Sequence, residues 1–316
     1  MKYTFLMPAY KAAYIKEAIE NILDQTYKDF QLIVSDDCSP EDLKTIVTQF
    51  NDKRVLYRCN EQNMGGKNLV AHWNLLLEIA KSDYVILAPD DDLYAPTFLE
   101  EINKLVIKYP DVNVLKSRVK KIDADGDLLM KDRVYEEFIS QLDNMYFQAL
   151  PDHMSGIGNY VFRTEALKKI GGFVDYPLAW WSDVMTNIRL SDKGMAITKD
   201  ILFTMRMSGI SITTRKSSLG ELRKKSEATM MCIDDIEKMI GQMSSLSKYD
   251  TRRMDILRNY FAQWLTDDLL VSAPAYTFRE MKYLMRKYDN LLFTTINRIL
   301  FIRYWFIGRF LKNHKV

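Results

Sequence analysis

The sequence is poor in the residue types that most directly advertise a function. Its 316 residues hold three cysteines, Cys38, Cys59 and Cys232, scattered and without a C-x-x-C pair. That spacing excludes a disulfide framework and suits reduced thiols in a cytoplasmic setting. The three histidines, His72, His153 and His314, are too far apart for a zinc-site pattern. Net charge is only +2, so no excess of one sign marks a nucleic-acid partner. No run of about 18 apolar residues occurs, and no membrane-spanning helix is expected. The opening "MKYTFLMPAY" has one lysine and a short strand-like run, too little for a secretory signal peptide. Low-complexity tracts and fixed-period repeats are also missing.

What is present is ordinary globular material, 47% hydrophobic and 27% charged, enough for one large or two moderate domains. The first 120 residues alternate between two periodicities. "YTFLMP" reads as a buried strand, and Ala13, Ile15, Ala18, Ile19, Ile22 and Leu23 then recur at helical spacing within 12–25. "FQLIVS" is a second strand. Ser39, Pro40 and Asp42 predict an N-cap and a helix over 40–50. "RVLYRC", a helix over 67–81, "YVILA", a helix over 96–108 and "VNVLKS" complete the series. Strand–helix alternation predicts βαβ units and an α/β fold with a mostly parallel sheet. "DADGD" reads as a hairpin turn. Beyond about residue 218 the chain turns helical and rich in Met, Lys, Arg and aromatics, so a boundary is expected near 215. Residues 1–215 would form the α/β domain and 216–316 a helical extension.

In an open parallel sheet, ligands bind at the carboxyl ends of the strands. Here those ends read "MPAY", "SDDCS" and "APDDD". Aspartates at two of them would make an acidic pocket, which suits a divalent cation carrying a phosphate-bearing ligand. Taken singly, each motif reads as well as a turn with a helix cap. An EF-hand loop does not fit, because the required Gly and distal Glu are missing.

In combination and in order, the motifs resemble family-2 glycosyltransferases, the inverting, nucleotide-sugar-dependent class with the GT-A fold. The matching stretches are "MPAYKAAYIKEAIENILDQTYKDFQLIVSDDCSPEDL", "NEQNMGGKNLVAHWNLLLEIAKSDYVILAPDDDLYAP", "GGFVDYPLAWWSDVMTNIRLSDKG" and "FTMRMSGISIT". They cover about residues 1 to 215. The resemblance implies that Pro8, Ala9, Tyr10, Asp36 and Asp37 hold the base and ribose, with Gly65 and Lys67 of "NMGGKN" nearby. It implies that "DDD" matches an Asp-x-Asp element binding Mn or Mg, with Asp92 and Asp90 as metal ligands and Asp90 and Asp91 also toward the nucleotide and sugar. Many members have an Asp where this chain has Pro89. Arg206 matches a basic position that closes over the diphosphate. Asp183 in "WWSDV" matches the acceptor-side general base, with Ser182 where an acidic neighbour is usual. Trp180 and Trp181 are expected against an acceptor sugar, a core role being equally open for one of them. His153, Ser155 and Gly156 receive no role.

The implied activity is transfer of a sugar from a nucleotide donor, a UDP-sugar being favoured, to a saccharide or lipid-linked acceptor in surface polysaccharide or glycolipid synthesis. A catalytically silent sugar-nucleotide scaffold and a nucleotidyltransferase-like enzyme are the alternatives. The latter would need a Gly-rich basic loop where "MPAYKAAY" stands. The last residues, 291–316, place Trp305, Phe306 and Phe310 among Arg298, Arg303, Arg309, Lys312 and Lys315 without Asp or Glu. Such a segment suits peripheral contact with an anionic inner membrane face. Packing on the catalytic domain or contact with a second copy in a homodimer fits it equally.

Overall fold

The computed structural model describes residues 1–209, 215–243 and 245–288. The basic tail 291–316 and the end of "FTMRMSGISIT" lie outside the described residues. Two compact units divide the chain: Met1–Asp175 with Ser182–Thr214, and Tyr176–Trp181 with Arg215–Val316. The six residues 176–181, which hold the tryptophan pair, thus group with the helical part and not with the α/β part that surrounds them in sequence.

The first unit opens with β1 (Tyr3–Ala9), α1 (Ile15–Leu23), β2 (Phe30–Asp36), α2 (Leu43–Thr48), β3 (Val55–Cys59), α3 (Gly65–Ile79) and β4 (Tyr84–Leu87). After the acidic triplet come β5 (Leu93–Tyr94), α4 (Phe98–Lys108), β6 (Val114–Ile122), β7 (Leu128–Lys131), β8 (Phe138–Ile139) and α5 (Gln141–Phe147). The unit closes with β9 (Tyr160–Arg163), α6 (Thr164–Lys169), α7 (Ser182–Leu190) and β10 (Met195–Arg206). The sheet order is β3-β2-β1-β4-β9-β6-β10-β5, with β7 on β6 and β8 on β10. β1 pairs in parallel with β2 and β4, β2 with β3, and β6 with β10. β9 runs antiparallel to both β4 and β6. Strands β1, β2, β3, β4, β6 and β10 therefore all point one way, and their carboxyl ends share one edge.

Local sequence explains most of these elements. β1, β2 and β4 are buried along nearly their whole length, as strands covered on both faces must be, and so read as continuous apolar runs. α1 buries Ile15, Ala18, Ile19 and Ile22, one face at helical spacing. The helix expected over 40–50 is shorter, and its cap is Asp42, which accepts from the Thr45 amide. Ser39 is not the cap because its hydroxyl donates to the Tyr10 carbonyl at 2.7 Å and accepts from the Glu41 amide, tying down the loop instead. The "DADGD" turn forms: Asp123 accepts from the Asp125 and Asp127 amides, and Gly126 takes φ +97°.

Tyr94 fixes the chain just beyond the triplet. Its ring centroid lies 4.9 Å from that of Phe98 and 5.1 Å from those of Phe5 and Phe203, and its hydroxyl donates to the Gly158 carbonyl. Truncating an aromatic side chain at such a site costs about 3–5 kcal/mol. The residues beside it are thereby held to one backbone path.

Among its described residues, the second unit holds the helices α8 (Leu219–Gln242), α9 (Lys248–Ser272) and α10 (Phe278–Lys287). Capping boxes at Ser218/Glu221 and Thr277/Glu280 start the first and third. Cys232, Ile233, Ile236, Met254, Leu257, Phe261, Leu265 and Leu269 are buried. Arg223 clips α10 on, pairing with Glu280 at 2.9 Å and donating to the Ala275 carbonyl.

Candidate active site

The carboxyl edge of the sheet gathers the polar ends of four strands. At β2, Asp36 accepts from the Ser39 amide and the Tyr57 hydroxyl, and Asp37 from Asn60, the Met64 amide and the Gly65 amide at 2.6 Å. A Cβ on Gly65 would lie 2.9 Å from the Asp37 carboxylate, so glycine permits this approach. Asp37 thus anchors the 60–65 loop against β2. Behind it His72 bonds Ser35 at 2.9 Å, and burial lowers its pKa. Lys67 bonds Gln62 at the surface. Pro8 and Ala9 end β1, with the Asp37 amide donating to the Ala9 carbonyl. Tyr10 is exposed beside them.

The triplet follows β4. One Asp90 oxygen accepts from the Tyr10 and Lys11 amides at 3.1 and 3.2 Å. One Asp91 oxygen accepts from Ser208 at 2.9 Å, and one Asp92 oxygen from the Arg206 amide at 2.8 Å. Each carboxylate is therefore oriented through one oxygen, while the other takes no donor among the described residues. Burial, reinforced by the Asp91 charge, raises Asp92 well above the ordinary carboxylate range, and Asp90 rises for the same two reasons.

These open oxygens fit a divalent cation shared with phosphate oxygens, which needs only one or two carboxylates. They do not fit a cage made by protein alone. Among the described residues no group of three or more His, Cys, Asp or Glu side chains is arranged to hold a metal ion.

Arg206 is placed differently from a cation facing a diphosphate. Its guanidinium is buried, pairs with Glu17 at 2.8 Å, donates to the Asp91 and Ala124 carbonyls, and lies 4.5 Å from the Tyr14 ring centroid. It braces the triplet's backbone from behind. Glu17, Tyr14 and Ser208 were not singled out in sequence. Their only signal was proximity to the strand ends.

Asp183 is the second residue of α7, inside the first turn and not at the cap. Burial lifts its pKa to about 6, against two backbone N–H bonds that lower it. A carboxylate tuned there can take a proton near neutral pH. Trp180 and Trp181, expected at an acceptor surface, pack within the helical unit. Trp181 donates to Thr229 and sits 5.1 Å from Phe261 and 5.4 Å from Trp264, and Lys225 stands 4.3 Å from the Trp180 ring centroid. Their positions follow from the aromatic faces of α9, which the local motif could not reveal.

An open, mostly parallel α/β sheet with oriented carboxylates at its carboxyl edge is an architecture of the GT-A type. The sequence profile of Glycosyl transferase family 2 matches residues 4–171, just over half the chain, and the protein belongs to that family. An uncharacterised glycosyltransferase of Methanocaldococcus jannaschii is 29% identical over 160 residues, 50% of this chain and 53% of that protein. The UDP-Glc:alpha-D-GlcNAc-diphosphoundecaprenol beta-1,3-glucosyltransferase of Escherichia coli is 28% identical over 106 residues, 33% of this chain and 41% of that protein. The chain spans about half the length of the curated relatives it matches. Among solved structures, S. aureus TarS in complex with UDP-GlcNAc superposes with a TM-score of 0.66 at 18% identity, covering 96% of this chain and 89% of that one. A mannosyltransferase of Pyrobaculum calidifontis with GDP-Man and Mn2+ reaches 0.54 at 15% identity, covering 99% and 86%. At these identities the structural likeness concerns the fold. No described helix is long and apolar enough to cross a membrane.

Proposed function

We propose that the protein is an inverting glycosyltransferase that moves a sugar from a nucleoside-diphosphate donor to a saccharide or lipid-linked acceptor in surface polysaccharide or glycolipid synthesis. The observation that carries this reading is the triplet, three carboxylates each oriented through one oxygen with the other open, at the strand ends where phosphates bind. A divalent cation, Mn2+ or Mg2+, held by Asp92 and Asp90 would supply Lewis-acid neutralisation of the leaving diphosphate. Asp91 belongs on the nucleotide side, with Asp36, Asp37 and the Gly65 loop shaping the base and ribose pocket. Asp183 takes the proton of the acceptor hydroxyl. That oxygen bonds to the anomeric carbon from the face opposite the diphosphate, and the carbon–oxygen bond to the diphosphate breaks. A UDP-sugar is favoured as donor, in keeping with the nucleotides named for the E. coli relative and for TarS.

The test is titration of UDP-, GDP- and dTDP-sugars with and without Mn2+, on the native protein and on Asp183→Asn. Transfer should vanish in the variant while metal-dependent donor binding stays within about twofold. Normal turnover in EDTA, or in Asp183→Asn, would overturn the reading. We place the protein at the inner membrane face through the basic segment 291–316. Binding to anionic vesicles should then weaken with salt. Indifference to such vesicles at low salt removes that placement.

A further inference from the structure

A second buried cluster of ionisable groups lies in the α/β unit, away from the triplet. Lys116 of β6 donates to Asp132 at 2.8 Å and to the Tyr135 hydroxyl at 3.0 Å. That hydroxyl lies 2.5 Å from Asp132 and 2.7 Å from Nδ1 of His153, and the Met154 amide also donates to Asp132. Proton balance fixes the histidine. The Tyr135 hydroxyl has one proton, and its short contact with the carboxylate requires that proton. Nδ1 of His153 must therefore carry a hydrogen and donate to Tyr135, which leaves Nε2 a bare lone pair. Burial first, then the Lys116 and Arg133 charges, depress the His153 pKa, so the ring is neutral. Nε2 is enclosed and meets no hydrogen-bond partner among the described residues. A buried acceptor without a protein donor is a place for a water or a ligand hydroxyl.

The segment that carries His153 connects the two halves of the chemistry. Two residues on, the Ser155 hydroxyl is 2.9 Å from that of Tyr160, and the Tyr160 phenol feels the charge of Asp183. A Cβ on Gly156 would strike Met205, the neighbour of Arg206, and one on Gly158 would meet Pro89 at the head of the triplet. The run 153–160 thus reaches from the donor edge to the surroundings of Asp183.

We propose that His153 is a specificity-determining residue of the acceptor subsite, its Nε2 accepting a hydrogen bond from a non-reacting hydroxyl of the acceptor saccharide beside Ser155 and Tyr160. The inference rests on the sugar-transfer reading. A neutral imidazole with a fixed lone pair takes only a donor, so it selects a polyhydroxyl ligand and disfavours a carboxylate or phosphate. Because Nε2 is enclosed in the free protein, the contact requires the 153–156 turn to yield when the sugar binds.

The test reads the imidazole directly. With three histidines in the chain, 15N spectra of the native protein and of His153→Gln assign the ring, and His153→Asn serves as a second variant that keeps the bond to Tyr135. The probes are methyl glycosides of common hexoses and their monodeoxy analogues, added with UDP and Mn2+. The expected result is the Nδ1-protonated neutral tautomer, an Nε2 signal that shifts with at least one glycoside, and loss of that shift for one deoxy analogue. His153→Asn, which lacks an acceptor at the Nε2 position, should bind the responsive glycoside about tenfold more weakly, the loss expected for one hydrogen bond to a buried partner, whereas His153→Gln can keep an acceptor there. An Nε2-protonated ring, or a ring silent to the whole panel in a protein that binds a nucleotide with Mn2+, overturns this proposal alone. Failure to bind any of UDP, GDP or dTDP with Mn2+ overturns the transfer reading and this proposal with it.

Discussion

The two buried acidic clusters of the α/β unit solve the same electrostatic problem in opposite ways. Asp132 has a cation of its own, the fully buried Lys116, and both its oxygens are occupied by protein donors. Asp90, Asp91 and Asp92 have a buried arginine beside them, yet Arg206 turns its guanidinium to Glu17 and to main-chain carbonyls and gives the triplet's carboxylates only its amide. A closed cluster holds the fold together. An open one keeps Asp90 and Asp92 at raised pKa, a cost that an external cation can offset.

The largest effect should come from the open cluster. Asp92→Asn preserves the acceptor for the Arg206 amide but removes the charge, so turnover should fall by about 100- to 1,000-fold and Mn2+-dependent nucleotide binding should weaken. Its melting temperature without metal should hold or rise, since ionising Asp92 in the folded state is unfavourable. A variant that melts markedly lower would put the triplet in the structural class with Asp132.

The next effect belongs to the closed cluster. Lys116→Met leaves a buried carboxylate unpaired and should cost about 3–5 kcal/mol in urea unfolding. Lys116→Met combined with Asp132→Leu should regain much of that loss, because the desolvated charge goes too. Equal destabilisation in the single and double variants would show that the pair does not act as a unit.

The smallest effect on stability concerns Asp183, which has a raised pKa like Asp90 and Asp92 but stands apart from them. Its folded pKa of about 6 exceeds the ordinary carboxylate value, so the folded state holds the proton more tightly than the unfolded state. Between those two values stability falls as pH rises. Asp183→Asn should therefore stabilise the protein at pH 7.5, by on the order of 1 kcal/mol after allowance for partial exposure. The same ionisation should make native transfer rise with pH through about 6 and level off above it. A flat profile from pH 5 to 8 would remove Asp183 as the titrating base.

The sequence by itself determined the alternating elements of the first 120 residues, because buried parallel strands and amphipathic helices leave distinct periodicities. It also determined that acidic residues follow β2 and β4, and strand-end position is enough to bring such residues to one edge. Only the tertiary structure decided what each polar group does there. The two-residue β5 and the antiparallel insertion of β9 between β4 and β6 are set by long-range pairing, which local pattern does not encode. Arg206 became a brace because Glu17, nearly two hundred residues earlier, lies within 2.8 Å of it. Lys116, Asp132, Tyr135 and His153 are unremarkable in the chain. They became a cluster because β6 and the segments after β7 and α5 meet where water is excluded, and burial is what makes their charges and protons count.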